Sequence, residues 1–574
     1  MPAHAAPCTL HPAPRTPVPG TLGNELHTLK RAGRENRYNR LTMNRREFVT
    51  GSLAAAALLP HRTAAETPVD SAISFTTGDT HYQSRYQAAL NTLAANVVQL
   101  DGVPGPNPDQ VLIEGSEYRG IWLECAPHEG LVYSLINPAV ARNNHMAFFK
   151  LQRPDGQIPA NMRSGSIGLG QIQMVVPIAA TAWELAQQTK DEELLSAAYQ
   201  ACSRWDAWLR QYRDTRKTGL CEGFCTWDTG HDNSPRWAGM PNSCPDRDAR
   251  KCPPNPGLPR LCPDLSATVY GGRVALAEMA RALHKPSEAA RWQEDAETIQ
   301  KAILDLLYDP TDACFYDLDA HNRFVRVRGD LLTRVLGEHV VSGKADSALL
   351  NAIYQRQIHN PKSFWAPFPL PSIALDDPTF VRPIPRNSWG GASQALTALR
   401  APCWMEHYGK PADLAHLMQR WVAALLRAPD FRQQMDPITG EFTDGAPGYS
   451  PAALALVDFT WRLAGVRYTR NTFEWNIRPG FAGPNAVFRL RISPYEIAEM
   501  RYLDNGAELY VNDRLLYRIT GTIRLKTRHD GSISGQTGIT DTQSTGLLQP
   551  ANGKPKQFTV GPNEEIELGV PLNR

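Results

Sequence analysis

Between about residues 83 and 465, apolar side chains recur at three- and four-residue intervals, the spacing of helices that bury one face. Leu195, Ala198, Cys202, Trp205 and Leu209 follow Asp191, a good N-cap. Ala289, Trp292, Ala296, Ile299, Ile303 and Leu306 follow Pro286 and Ser287 in the same way. Segments 175–185 and 270–283 instead carry small and apolar residues around most of the circumference, as an element packed on both sides requires. Alternation of the two kinds predicts two concentric layers. Further helices are predicted over 85–100, 138–151, 330–341, 392–408, 411–427 and 451–463, which brings the total to about a dozen. Paired antiparallel, they form six hairpins and close an (α/α)6 barrel over 80–465. A helical solenoid is the alternative, but no fixed period runs through the chain.

After Val466 the pattern changes to short β-type runs at 473–477, 486–492, 508–511 and 522–525, separated by turn residues. They predict a small β-sandwich-like domain over 466–574, packed on the barrel. No aromatic platform shows in these strands, so the expected role is structural rather than sugar binding. The stretch 528–554, rich in Gly, Ser, Thr and Gln, reads as loops or a frayed edge and is assigned no element. The fold class is therefore mainly α, a barrel with a C-terminal sandwich.

At the other end, Asn44-Arg45-Arg46-Glu47-Phe48 precedes an apolar run, Gly51 to Leu59, and the small residues Thr63-Ala64-Ala65. This reads as a twin-arginine export signal over 43–65, cleaved after Ala65. The run is too short for a bilayer core of about 30 Å, so no membrane span remains once it is removed. Residues 1–42 are Pro-rich and basic without periodicity, an extension carrying no structure, and Met43 is a candidate start. The expected location is periplasmic or secreted, where disulfides persist. Cys221, Cys225, Cys244, Cys252 and Cys262 are separated by gaps of three, eighteen, seven and nine residues. That matches no paired zinc pattern and favours disulfides stapling one loop, with connectivity open. The balance of 60 basic and 58 acidic residues gives a net charge of +2, which selects neither nucleic acid nor an anionic surface.

The long loops are where chemistry collects: 118–129, 153–170, 220–264, 363–389 and 430–450. The middle one holds Thr226-Trp227-Asp228-Thr229-Gly230-His231-Asp232-Asn233-Ser234-Pro235-Arg236-Trp237. Aromatic faces for a pyranose ring, amides and acids for its hydroxyls, and a carboxyl to protonate a leaving oxygen make this a sugar-cleaving pattern, with Asp232 the candidate acid. Arg236 fits a tie to a neighbouring carboxylate better than a substrate contact. His128 and His231 fit hydrogen-bonding pocket residues rather than metal ligands, since no partner set stands at ligand spacing. Trp227 and Trp389 suit either a platform or the core, and Asp436 before Pro437 suits a turn.

Asp232-Asn233-Ser234-Pro235-Arg236-Trp237 resembles the acid-bearing loop of the glycoside hydrolase family 63, mannosylglycerate hydrolase and trehalase group. The resemblance runs in order from Tyr118 to Val466. Gln152 to Pro159, with Asp155 and Gln157, is similar to the group's Gln-x-x-Asp-Gly-x-Ile-Pro loop, and Asp264-Leu265-Ser266-Ala267 to its Asp-Leu-Asn-Ala segment. Pro369-Leu370-Pro371-Ser372, Asp376-Asp377-Pro378, Ser388-Trp389-Gly390-Gly391 and Asp436-Pro437-Ile438-Thr439-Gly440 follow the same order. The resemblance implies an inverting O-glycosidase on an (α/α)6 barrel that cleaves an α-linked glucoside, mannoside or short oligosaccharide, with no metal or organic cofactor. The candidate substrate contacts are Trp122, His128, Glu129, Asp155, Gln157, Trp227, His231, Asn233, Arg236, Trp237, Trp389 and Gln433.

Two positions depart from the group. Its base, a Glu three residues before the Asx, is Gln433 here, and an amide cannot accept a proton from water. Its Trp-Asp-Ser motif is replaced by Trp122-Leu123-Glu124-Cys125. The reading that follows moves the base to Glu124, Glu129, Asp436 or Glu441. The alternatives are a carbohydrate-binding pseudoenzyme, or a lyase or epimerase on a similar barrel.

Overall fold

The computed structural model describes residues 71–103, 109–343, 347–469 and 471–567, all within one compact unit. The extension, the export signal and Met43 lie outside the described residues. Twelve α-helices occur among those described: α1 (Thr80–Ala95), α2 (Ala126–Tyr133), α3 (Pro138–Lys150), α4 (Ile178–Thr189), α5 (Glu192–Tyr212), α6 (Pro263–Ala282), α7 (Pro286–Leu307), α8 (Leu331–Gly337), α9 (Ser347–Ile353), α10 (Ala395–His407), α11 (Pro411–Arg427) and α12 (Ser450–Ala464). The even-numbered helices form a closed inner ring, each packing on the next and α12 returning to α2. Outside it, α1 lies on α12, α3 on α2, α5 on α4 and α6, α7 on α6, and α11 on α10 and α12. This is the (α/α)6 barrel that the alternation of patterns predicts.

Inner and outer helices differ in sequence for the reason expected. Along α12 nearly every side chain is buried, from Ser450 and Pro451 to Leu463 and Ala464. By contrast α7 buries one stripe, Ala289, Trp292, Ala296, Ile299, Ile303 and Leu307. Leu307 rather than Leu306 completes that stripe, and Leu306 faces solvent at 43 % exposure. A helix touched on two sides must be apolar around its girth, whereas one backed by water needs a single apolar face.

The C-terminal strands form two antiparallel sheets. One has seven strands in the order 73–76, 487–493, 496–503, 506–511, 514–520, 544–550 and 556–560; the other has five, 466–469, 472–477, 523–527, 533–537 and 565–567. Two expectations are corrected here. Ile533–Thr537 and Ser544–Pro550 are paired strands, not loops, and the edge of the larger sheet is Ile73–Thr76, which lies before the first barrel helix. Phe75 packs edge-on against Tyr86 of α1 at 4.8 Å, and the Trp461 indole of α12 donates to the Tyr86 hydroxyl at 2.9 Å. Arg524 grips Glu406 of α10 through two bonds of 2.6 and 2.7 Å, so sheet and barrel share a core and a part-buried ion pair. No helix among the described residues is long and apolar enough to cross a membrane.

Candidate active site

The acid-bearing loop is held from beneath by two buried arginines. At its head, Asp228 is fully buried and pairs with Arg213 at 2.5 Å, while its carboxylate also accepts from the backbone N–H of Ile172 and Phe224 at 2.8 and 2.7 Å. At its tail, Arg236 donates twice to Asp264 in the first turn of α6, at 2.7 Å each, and twice to Asp317, at 2.7 and 2.6 Å. Planar guanidinium forks fix orientation as well as position.

Between these anchors the chain turns through left-handed residues. Gly230 has φ +63°, and a Cβ there would lie 1.6 Å from Oε2 of Glu124, so only glycine admits that carboxylate. Asn233, also left-handed at φ 57°, donates its amide to the carbonyl of Asn387 at 2.9 Å. His231 donates from Nε2 to Asp330 at 2.8 Å and accepts at Nδ1 from Arg236 at 3.0 Å, which sets one neutral tautomer. Burial, with Arg334 beside it, lowers its pKa to about 4. Asp330 in turn accepts from Thr397 of α10 at 2.7 Å.

Asp232 stands on this frame, half-buried. Burial raises its pKa to about 6, against the opposing hydrogen bond of the Asn387 side chain. Its carbonyl accepts from the N–H of Trp389 at 3.0 Å. The Trp389 indole is buried under the guanidinium of Arg334, 5.2 Å above the ring.

The floor comes from the other wall. Strand Gly120–Trp122 pairs with Asn161–Arg163 and delivers Glu124 to the head of α2, where Pro127 starts the helix. His128 and Glu129 therefore sit on a helix rather than in the loop expected for them. Glu124 is 8 % exposed, and its Oε2, lying against Gly230, takes no hydrogen bond. Burial and then the charge of Asp232 lift its pKa to about 7, with Arg400, Arg334 and Gln173 opposing. Glu129 is fully buried with neither oxygen hydrogen-bonded, and burial lifts it to about 7 although the Cys125 thiol and Arg400 oppose. Glu114 accepts from the Tyr449 hydroxyl at 2.6 Å and is raised well above the carboxylate range by burial and by Glu124 and Glu129.

The family base position closes the set. Gln433 is buried, and its Oε1 accepts from the Tyr118 hydroxyl at 3.0 Å. The Tyr118 ring meets Trp122 edge-on at 6.1 Å, and its own pKa is raised by burial, then by Glu114, Glu117 and Asp232.

Several expected contacts have other tasks. Asp436 receives the N–H groups of Ile438 and Thr439 at 2.7 and 3.1 Å and pairs with Arg382 at 3.1 Å, so it is a turn former. Glu441 is exposed to solvent. Asp155 is exposed, pairs with Arg153 and caps the N–H of Gln157, whose buried amide donates to Leu169 O at 3.1 Å. Trp237 is core, its indole on Thr229 Oγ1 at 2.8 Å, and all of Arg236's bonds described above go to protein. Trp227 is half-buried on the loop, and Asn233 is committed to Asn387. His128, its pKa lowered to about 3 by burial and Arg400, lines a cavity inside the ring with Thr333, Arg334, Glu338 and Arg400. Sequence reasoning passed over Glu114, Tyr118, Asn387, Arg334 and Arg400. For Glu114 a signal existed: an acid directly behind the apolar run Val111-Leu112-Ile113.

Among the described residues, three side-chain groups have the donors for a cation: Cys225, Asp228 and Cys244; Cys262, Asp264 and Asp317; Glu114, Glu124 and Cys125. In the first two an arginine already holds the carboxylates.

The unpaired carboxylates have a thermodynamic consequence. Glu129 rises in the fold from an ordinary 4.5 to about 7, so folding disfavours its charged form. The cost is absent below pH 4.5, grows between pH 4.5 and about 7 and is constant above. Glu129→Gln is expected to unfold at a higher urea concentration than the parent at pH 8, by on the order of 2 kcal/mol, with the gap shrinking toward pH 5. A gap independent of pH contradicts the assignment.

The family model for the mannosylglycerate hydrolase MGH1-like glycoside hydrolase domain matches residues 118–461, which spans both the acid loop and the floor. The fold is similar to the GH63 mannosylglycerate hydrolase from Thermus thermophilus in complex with Tris and D-glycerate, with a TM-score of 0.53 at 18 % identity over 66 % of this chain and 100 % of that one. The glucose complex of that enzyme gives a TM-score of 0.51 at 18 % identity over 66 % and 99 %. A structure described as a sialidase gives 0.55 at 14 % identity, over 77 % of this chain and 40 % of that one.

Proposed function

The chain belongs to the MGH1-like glycoside hydrolases and is an O-glycosidase, and we propose that it is an exported, inverting one in which Asp232 is the acid and Glu124 the base. The substrate class we propose is an α-linked glucoside, mannoside or short oligosaccharide. One observation carries the assignment of roles: Glu124 lies against Gly230, two residues before Asp232, and burial raises both carboxyls, Asp232 to about 6 and Glu124, with the charge of Asp232 adding to it, to about 7.

Two such groups hold one proton between them near neutral pH, and the protonated site belongs to the pair rather than to either residue. With the proton on Asp232, the charge that lifts Glu124 is gone, and Arg400, Arg334 and Gln173 favour its carboxylate. That microstate is the reactive one. Asp232 gives its proton to the glycosidic oxygen as the bond to the anomeric carbon breaks; Glu124 takes a proton from the water that adds to the opposite face. Gln433, oriented by Tyr118, can hold that water but not deprotonate it. The frame around His231 and Arg236 keeps the acid in place without touching sugar.

Export is supported by Arg45-Arg46 with the apolar run and small residues behind them. The test of the activity is a panel of nitrophenyl glycosides and natural disaccharides, with anomeric configuration followed by NMR, run on the parent and on Gln433→Glu. The parent is expected to hydrolyse an α-glycoside to the β-anomer, and Gln433→Glu to be no faster. An inert parent with an active Gln433→Glu contradicts Glu124 as base and leaves the natural chain a sugar binder.

A further inference from the structure

We propose that Cys225 and Cys244 are the sites of a disulfide that closes the neck of the acid-bearing loop. Cys225 precedes the loop and Cys244 follows it, and the two flanking segments already pair through Thr226 N–H to Pro241 O at 2.9 Å and Trp227 N–H to Asn242 O at 3.1 Å. No S–S bond is formed in the structure, where the disulfides expected of this cysteine-rich stretch are thiols, but the two sulfurs lie 4.0 Å apart. Both are buried and pack with Phe224 in a small cluster, with the half-buried Cys252 against it. Closing to a bond of about 2.05 Å needs a shift of about 2 Å between the two sulfurs.

The other chemistry open to paired thiols, a metal ion with Asp228 as third ligand, meets two obstacles. The Asp228 carboxylate is saturated: Oδ1 accepts from Ile172 N–H and Arg213, and Oδ2 from Arg213 and the N–H groups of Phe224 and Cys225. The fully buried Arg213 also stacks 4.1 Å over Phe224 and reaches Cys244 Sγ at 3.7 Å. A dication would sit beside a fixed cation with no free carboxylate, whereas a disulfide adds no charge and needs none. Burial, which raises the Cys225 thiol well above its ordinary range, disfavours a thiolate ligand there.

The oxidation balances by exchange with a soluble disulfide, protein or small molecule, which leaves as two thiols carrying the two electrons and two protons that Cys225 and Cys244 lose. Cys252 is the sulfur of the three that solvent reaches, so exchange enters there: its sulfur bonds one half of the acceptor and releases the other half as a thiol, Cys244 attacks the Cys252 sulfur and displaces the second half as a thiol to form Cys244–Cys252, and Cys225 then attacks Cys244 and displaces Cys252. Each step breaks one S–S bond as it makes another and leaves Cys252 a thiol. The product joins both ends of the loop that presents Asp232, limiting the ways the unfolded chain can open it.

The test is independent of any catalytic role. The full chain is equilibrated with oxidised glutathione or with dithiothreitol, denatured, alkylated and mapped by peptide mass spectrometry. The oxidised sample is expected to yield the Cys225–Cys244 cross-linked peptide with Cys252 alkylated, and to melt a few degrees higher than the reduced one. Cys244→Ser is expected to lose both the cross-link and the redox dependence of melting. Alkylation of both Cys225 and Cys244 after oxidation, a link from Cys244 to Cys252 as the end product, or a stoichiometric metal lost on Cys244→Ser overturns the proposal.

Discussion

Asp232→Asn is expected to lower kcat about 10²–10⁴-fold while keeping the far-ultraviolet spectrum of the parent and, at pH 8, melting no lower than it. The loss follows from the geometry: the amide keeps the size of the carboxyl but has no acidic proton, and no other acid shares its place on the loop. The fold survives because the loop is anchored by Arg213 on Asp228 and Arg236 on Asp264 and Asp317, none of which involves the Asp232 side chain. The loss is also expected to depend on the leaving group. Aryl glycosides whose phenol departs without a proton should be spared more than alkyl glycosides or disaccharides. Equal activity of parent and variant on a disaccharide removes the acid assignment.

The second large effect is at Glu124. For the parent, kcat/KM should be bell-shaped in pH, rising as the pair loses its first proton near 6 and falling as it loses its last near 7. Glu124→Gln should cost about 10²–10⁴-fold in kcat by removing the group that accepts the water's proton. The residual activity carries its own signature. Asp232 then titrates alone, so the alkaline limb is expected to move from about 7 down to about 6 and the acidic limb to disappear. A structural defect lowers the whole curve without moving its limbs, and that outcome refutes the base assignment.

What the sequence displays depends on how local the physics is. Helix Pro411–Arg427 is bounded to the residue by a proline at its first turn and a single strong apolar face. Helix Ala126–Tyr133 is too short to show a period, so Glu129 reads as a loop residue although it is buried in the ring. The strands Ile533–Thr537 and Ser544–Pro550 carry Gly, Ser, Thr and Gln with much of their surface exposed, and their pairing is set by neighbours far along the chain.

The site divides in the same way. Asp232 is legible because the residues that frame it, Gly230, His231, Ser234 and Arg236, are its neighbours in sequence. Glu114, Glu124 and Tyr449 meet only when the ring closes, and an acid near apolar residues reads as surface until its surroundings are known. Asp436 and Glu441 show the converse: both sit in a well-matched motif, yet one spends its oxygens on a turn and the other faces water.

The central claim is that the proton of the attacking water goes to Glu124, and azide rescue tests it most directly. Single Ala variants at Glu124, Glu129, Asp436 and Glu441 would be assayed on an aryl α-glycoside with and without azide, and the products identified by NMR. The account predicts that Glu124→Ala alone is nearly inert, that azide restores its turnover, and that the product is the β-glycosyl azide. Turnover of Glu124→Ala at the parental rate, or azide rescue at one of the other three positions instead, would contradict it.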